Sequence, residues 1–132
     1  MRKLIILLII LTFFISGCNK YIPGSLLVLN EEKTIFKDIC VEKQLAGKVV
    51  VLHSKYCGAC KVAVPRLKEI EQELNTQFEY YDLAVESDMG KLNQLQIKTQ
   101  YTPTVVVNCK VYIGTYPKED YKKFIGDFLN ED

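Results

Sequence analysis

The spacing of hydrophobic positions along the chain predicts four helices. Apolar residues recur at helical intervals in four segments, at residues 34–47, 57 to about 76, 90–97 and 117–130. Pro65 lies inside the second segment, where it should kink the helix. Phe36 and Cys40 fall on the apolar stripe of the first helix, so we expect both side chains to face a hydrophobic core.

Short apolar runs predict the strands between these helices. Residues 48–53 are apolar and β-branched almost throughout, which is typical of a central strand buried on both faces. Residues 78–85 predict a second strand, and the runs on either side of Asn108-Cys109 predict a β-hairpin. A βαβ half followed by ββα indicates an α/β fold with a mixed central sheet flanked by helices on both faces.

The start of the chain has the pattern of an export signal. Arg2-Lys3 precede an apolar run from Leu4 to Ile15, which is well short of the roughly 20 residues that span a bilayer. The end of this stretch, Ile15-Ser16-Gly17-Cys18, resembles the lipobox of bacterial lipoproteins. That resemblance implies that the sulfur of Cys18 is acylated and that Cys18 becomes the first residue after cleavage.

The leader sets the expected organisation of the chain and its location. We predict a lipoprotein signal peptide at 1–17, a lipid-anchored tether at 18–25 and one folded domain at 26–132. An uncleaved anchor or an ordinary secretory signal is the alternative. The favoured interpretation places the protein outside the cytoplasm, tethered to a bacterial membrane on its periplasmic or outer face, where disulfides can persist.

Length and charge narrow the range of partners. A chain of 132 residues can form one compact domain but not two. Loss of Arg2 and Lys3 with the leader takes the 17 basic residues to 15, against 16 acidic ones. We therefore expect no nucleic-acid partner, because there is no basic stripe. We further expect a monomer.

Cys57 and Cys60 carry the most specific chemical signal. Cys57 stands where the buried strand ends and the second helix begins, so its sulfur should face the free N–H groups and the positive end of the helix dipole. Such a site favours the thiolate. Cys60 lies about one turn deeper, where it can close a disulfide with Cys57 while shielded from solvent. Thiol–disulfide exchange needs this division between an attacking and a resolving sulfur.

The surrounding motifs resemble those of the thioredoxin superfamily over nearly all of the chain from about Leu26 to Leu129. Residues 56–65, "YCGACKVAVP", are similar to the pattern of an aromatic residue, C-G-x-C-K and a later proline. "TPT" at 102–104 looks like the cis-proline motif of that family. The resemblance implies that Pro103 is cis and shapes a substrate groove, that Thr102 offers backbone hydrogen bonds to substrate, and that Tyr56, Gly58 and Ala59 surround the attacked disulfide.

Other details resemble the glutaredoxin branch of the superfamily. "HSKYCGAC" at 53–60 and "PTVVVNCK" at 103–110 are similar to its motifs, although Cys109 stands in place of a glycine. The glycine-rich, aspartate-containing segment that holds glutathione is not evident after Gly114, so glutathione is not expected. By the same resemblance, the buried aspartate of thioredoxins aligns with Val51. The proton acceptor for Cys60 is therefore open, and His53 is near it in sequence.

The remaining cysteines and the alternative functions complete the predictions. Cys40 is expected in the core, and Cys109 occupies a turn position that usually needs positive φ. We predict that Cys40 and Cys109 are not bonded to each other, because a helix and a hairpin turn should lie far apart. A metal carrier, above all for copper, and a non-catalytic adaptor are alternatives to an enzyme, but a single C-x-x-C is weak evidence for a metal site.

Together these features predict a thiol–disulfide oxidoreductase with Cys57 as nucleophile and Cys60 as resolving thiol. The expected cofactor is none besides the redox-active disulfide. The expected substrates are cysteine pairs in other exported proteins, with a membrane electron donor if the protein works as a reductant. Reduction is the favoured direction, and a disulfide oxidase or isomerase of the same fold is the alternative.

Overall fold

The structure is a computed structural model that describes residues 24–131. The predicted leader and Cys18 lie outside the described residues. Seven strands and four helices follow one another in this range. The strands are β1 Leu27–Leu29, β2 Lys33–Thr34, β3 Val49–His53, β4 Glu79–Asp82, β5 Ile97–Thr99, β6 Thr104–Val107 and β7 Lys110–Ile113, and the helices are α1 Lys37–Glu42, α2 Gly58–Glu73, α3 Glu86–Gln94 and α4 Lys118–Leu129. In this range no helix is both long and apolar enough to cross a membrane.

The central sheet is mixed, as the sequence predicts. Its five strands have the order β2-β7-β6-β3-β4, in which β3 and β4 run parallel and the other neighbours are antiparallel. β1 and β5 form a separate parallel pair. The order places β3 between β4 and β6, which explains why every residue from Val49 to Leu52 is buried.

The two faces of β3 contribute to two hydrophobic clusters. Val49 and Val51 belong to the cluster that contains the buried residues of α4 and all those of α2 except Cys60. Val50 and Leu52 belong to the other cluster, with the buried residues of α1, α3 and the β1–β5 pair. Because successive side chains of a strand alternate between faces, an apolar strand needs helices on both sides. The predicted α/β fold class, with helices on both faces of a mixed sheet, is confirmed.

The prediction that Cys40 and Cys109 are not bonded is wrong. The two residues form a disulfide with Cα atoms 5.6 Å apart. The two-residue strand β2 pairs with β7, and Ile35 N–H then donates to the carbonyl oxygen of Cys109 over 2.7 Å. This pairing brings the start of α1 to the hairpin turn, and the hydrophobic pattern does not reveal a strand so short.

The turn between β6 and β7 has the positive φ angles that were expected at the position of Cys109. Asn108 and Cys109 have φ of 42° and 73°, so both central residues are left-handed, as a type I′ turn requires. The side chain of Asn108 accepts a hydrogen bond from Gly47 N–H at 2.9 Å. This bond and the disulfide both hold the turn. The expected core position of Cys40 is confirmed, whereas Phe36 is 81% exposed at the N-cap of α1 and lies outside the core.

Candidate active site

A tight turn after β3 places Cys57 directly before α2. Cys57 N–H donates to the carbonyl oxygen of Ser54 at 3.0 Å, and Tyr56 N–H donates to the hydroxyl of Ser54 at 3.3 Å. Cys57 has extended backbone angles and is the N-cap residue of α2. Its sulfur accepts the backbone N–H of Cys60 at 3.1 Å. A cysteine sulfur therefore occupies the place of the usual oxygen acceptor at the helix start.

The two cysteines of the motif differ in exposure and are bonded to each other. Cys57 is half-buried, whereas Cys60 is 2% exposed. Their sulfurs form a disulfide, with Cα atoms 5.2 Å apart. When this bond is reduced, negative charge on Cys57 would lie against the N–H of Cys60 and the positive end of the α2 dipole. The geometry is suited to attack by Cys57 and to resolution by Cys60.

The loop before β6 brings a proline next to the disulfide. The peptide bond between Thr102 and Pro103 is cis, as the resemblance to thioredoxins implies. The carbonyl oxygen of Thr102 lies 3.3 Å from the sulfur of Cys57. Pro103 itself is buried, and its carbonyl oxygen accepts Gly114 N–H at 2.9 Å. These contacts fix the backbone that faces Cys57.

Two threonine hydroxyls hold this loop from the inside. The hydroxyl of the buried Thr104 donates to the carbonyl oxygen of Tyr101 at 2.7 Å. The hydroxyl of Thr99 lies 2.8 Å from the same carbonyl and 3.1 Å from the Thr104 hydroxyl. These hydrogen bonds could not be predicted from the sequence, because they form only where the end of β5 lies beside the start of β6.

Exposed side chains surround the disulfide. Tyr56 is 80% exposed, and Gly58 and Ala59 are exposed at the start of α2. Tyr101, which the sequence analysis did not select, is 54% exposed directly before Thr102. The sequence feature that could have pointed to Tyr101 is an aromatic residue directly before the "TPT" motif. The two segments that meet at Cys57 thus each carry an exposed tyrosine.

No carboxylate lies buried beneath the cysteines in the part of the chain that the structure describes. Val51, at the position aligned with the thioredoxin aspartate, is fully buried among apolar side chains. Lys43 is the one buried ionisable side chain among residues 24–131, apart from the cysteines and tyrosines. Its ammonium donates to the side chain of Gln96 and pairs with Glu42.

His53 and Asp82 lie side by side at the ends of the parallel strands β3 and β4. Asp82 accepts backbone N–H groups from Ala84 at 2.9 Å and from Lys55 at 3.3 Å. The N–H of Ala84, then that of Lys55, and the charges of His53 and Lys55 hold the pKa of Asp82 below its usual value, against the opposing effect of desolvation. The carboxylate therefore ties the turn before Cys57 to the end of β4 and adds negative charge next to His53.

Comparison with known proteins gives structural matches only. No family model and no curated protein matches the sequence. Among solved structures, the chain is similar to a chloroplastic thioredoxin z, with 14% identity, coverage of 83% of this chain and 98% of that one, and a TM-score of 0.48. It is also similar to mitochondrial thioredoxin 3 from Saccharomyces cerevisiae, with 21% identity, coverage of 77% and 94%, and a TM-score of 0.46. A structure from work on the thiol resolving mechanism of yeast mitochondrial 1-Cys peroxiredoxin matches with 20% identity, coverage of 80% and 97%, and a TM-score of 0.46.

Proposed function

We propose that this protein is an exported, membrane-tethered thiol–disulfide oxidoreductase that reduces disulfides in other exported proteins. The observation that carries the proposal is the Cys57–Cys60 pair at the start of α2, with one sulfur accessible and the other buried. A pair of this kind can form a mixed disulfide through one sulfur and release the substrate through the other.

The surroundings of the pair support a protein substrate. Tyr56 directly precedes Cys57 and is exposed, Tyr101 directly precedes Thr102 and is exposed, and the carbonyl oxygen of Thr102 borders the sulfur of Cys57. An extended segment bound here would find apolar contact from the tyrosine rings and a backbone edge for hydrogen bonds. The substrate residue that reacts would be a cysteine in a disulfide.

The short, neutral dipeptide between the cysteines supports the reducing direction. Gly58 and Ala59 provide no side chain that could stabilise a Cys57 thiolate, which leaves the helix terminus and the backbone N–H groups. Moderate stabilisation of the thiolate corresponds to a moderate reduction potential. A reductant of this type needs a membrane electron donor that returns the pair to the dithiol form.

The lipid anchor at Cys18 is inferred from the sequence alone. Ile15-Ser16-Gly17-Cys18 after a short apolar run supports acylation of Cys18, and the first strand, β1, begins soon afterwards at Leu27. Such an anchor would keep the domain close to a membrane electron donor and to exported substrates.

The function is tested with the full-length chain in detergent. Under dithiothreitol it should catalyse reduction of insulin disulfides, and the Cys57→Ser/Cys60→Ser variant should not. In cells, alkylation of free thiols should find the Cys57–Cys60 pair mainly reduced. An active protein whose pair is mainly oxidised in cells would favour the oxidase alternative, and an inactive protein would exclude the enzyme.

A further inference from the structure

We propose that His53 accepts the proton of the Cys60 thiol when Cys60 resolves the mixed disulfide, and that Asp82 is a positioning residue for His53. This inference rests on the proposed dithiol exchange and deepens it, because the exchange alone does not say which group removes the proton from a buried thiol.

The alternation of β3 puts His53 on the face of the sheet that carries α2. Val49 and Val51 pack in the cluster with α2, and His53 is the next residue of the same parity. His53 and Cys60 line one cavity of about 280 Å³, together with Val64 and Pro65 of α2. The two side chains therefore border the same space, and this space is the route along which the proton would pass.

Other proton acceptors near Cys60 are few in the described residues. Val51 occupies the place of a buried acid, and the buried residues include no carboxylate in the range 24–131. Lys55 and Lys61 also line the cavity, but an ammonium group has three donors and no acceptor. A neutral imidazole has one nitrogen that accepts a proton.

Charged groups of both signs lie around His53 in the described part of the chain, and only one of them is negative. Asp82 is its register partner on β4, and the ring of Tyr80, also on β4, lies edge-on at 6.1 Å between centroids. Lys55 in the following turn and Lys61 on α2 bring positive charge to the same cavity. The Lys55 ammonium lies over the ring of Tyr56, 5.1 Å from its centroid. The carboxylate of Asp82 is thus the group that would offset the new positive charge.

The step balances without a further reactant. The proton of the Cys60 thiol moves to the imidazole, and the Cys60 thiolate attacks the sulfur of Cys57. A Cys57–Cys60 bond forms while the bond between Cys57 and the substrate sulfur breaks. The substrate leaves as a thiolate with the electron pair and takes up a proton, so the protein dithiol is oxidised and the substrate disulfide is reduced.

The test separates attack from resolution with Ellman's disulfide as the probe. Reduced full-length protein in detergent, carrying Cys18→Ala so that position 18 contributes no thiol, is mixed with it in a stopped-flow instrument. Titration first shows two free thiols per chain, so that Cys40–Cys109 is known to be bonded. Cys57 releases the first thionitrobenzoate, and Cys60 releases the second when it closes the disulfide. The first phase therefore reports folding and Cys57, and the second phase reports the resolving step.

His53→Gln should slow the second phase by at least about tenfold at pH 7, within the usual range for general base catalysis, and leave the first phase within about twofold. The wild-type rate should level off as pH rises from 5 to 8, where imidazoles change charge, whereas the variant rate should keep rising with hydroxide concentration.

Asp82→Asn keeps an oxygen acceptor for the backbone but loses the charge, so the pH profile of its second phase should move to lower pH. Val64→Ala alters the cavity without removing the acceptor and should keep the wild-type profile.

Chemical rescue provides a second readout. In His53→Ala, added imidazole should restore the second phase in proportion to its concentration and leave the first phase unchanged. Unaltered resolution in His53→Gln would overturn the proposal, and so would slowing by one constant factor at every pH, which indicates a packing role. Wild-type protein that attacks through Cys57 but never releases the second thionitrobenzoate would instead count against the dithiol exchange itself.

Discussion

The backbone N–H of Cys60 donates to the sulfur of Cys57 over 3.1 Å, so the resolving residue also holds the attacking sulfur in place. A serine at position 60 would keep this N–H, because the bond comes from the backbone. The two cysteines can therefore be tested one at a time without removing the contact that positions Cys57.

We expect Cys60→Ser to accumulate mixed disulfides with substrate proteins through Cys57, because attack is intact and release is blocked. Cys57→Ser should trap almost nothing, since Cys60, the remaining cysteine of the pair, is 2% exposed. Non-reducing gels followed by mass spectrometry of the trapped species measure both outcomes. Equal trapping by the two variants would contradict the assignment of roles.

The Cys40–Cys109 disulfide should stabilise the fold without serving the reaction. It joins residues 69 positions apart, and a loop of that size corresponds to about 4 kcal/mol of unfolding free energy. Cys109 lies two residues after Val107, which pairs with Val49 at the start of β3, whereas His53 is the last residue of that strand. Four residue steps of about 3.3 Å separate Val49 from His53 along β3. The Cys40–Cys109 disulfide therefore lies roughly 13 Å or more from the turn before Cys57.

Urea unfolding of Cys40→Ala/Cys109→Ala should accordingly show a loss of about 2–5 kcal/mol. The matched control is Cys57→Ala/Cys60→Ala, whose bond spans only three positions and should contribute about 2 kcal/mol. Reduction of Ellman's disulfide by Cys57 should stay near the wild-type rate in the first variant. A linked Cys40–Cys109 peptide should appear in digests of the unreduced protein, and its absence would refute the bond.

The fold could be predicted from the sequence where the hydrophobic pattern is long. The residues of β3 are apolar on both faces, and α2 and α4 keep helical spacing over several turns, so their existence and type were predictable. The strands β1, β2 and β5 contain two or three residues each. A segment of that length shows no period, and its strand conformation depends on its partner in the sheet.

The candidate site also has a part that local sequence predicts and a part that depends on contacts between distant segments. The positions of Cys57 and Cys60 were predictable because a strand end and a helix start meet there, and the cis bond at Pro103 was predicted from the resemblance of "TPT" to the thioredoxin motif. The bond between Cys40 and Cys109 was missed because it depends on the unpredicted pairing of β2 with β7. Tyr101 and the cavity shared by His53 and Cys60 also depend on contacts between distant segments, which periodicity does not report.

Acylation of Cys18 is a prediction from the sequence that a single substitution tests. In cells given labelled palmitate, the wild-type chain should incorporate the label and fractionate with membranes. Cys18→Ala should lose the label and fail to mature by lipoprotein-type cleavage. Cys40→Ala is a suitable control, because it also removes one cysteine but leaves the leader intact. Unchanged labelling of the Cys18 variant would remove the basis for the tether.

The reduction potential of the Cys57–Cys60 pair should be moderate, roughly −200 to −270 mV, rather than the roughly −120 mV of a strong oxidant. The reason is the dipeptide between the cysteines. Gly58 and Ala59 add no charge or donor, so a Cys57 thiolate would depend on the helix terminus and the N–H of Cys60. Equilibration of the full-length protein with glutathione buffers measures this value.

A histidine introduced beside the pair should raise the potential. Ala59 is exposed, and its carbonyl oxygen accepts a hydrogen bond from the hydroxyl of Thr115 at 3.2 Å, which a change of side chain leaves in place. Ala59→His should therefore fold normally. Its imidazolium would stabilise the thiolate and hence the reduced form, and about 1.4 kcal/mol of such stabilisation raises the potential by about 30 mV. Ala59→Gln is a neutral control of similar size and should shift the potential much less. The rise should be larger at pH 6 than at pH 8, because the imidazolium loses its charge as pH increases.

A wild-type potential near −120 mV, with the Cys57–Cys60 pair oxidised in cells, would overturn the reducing direction while leaving the exchange chemistry intact.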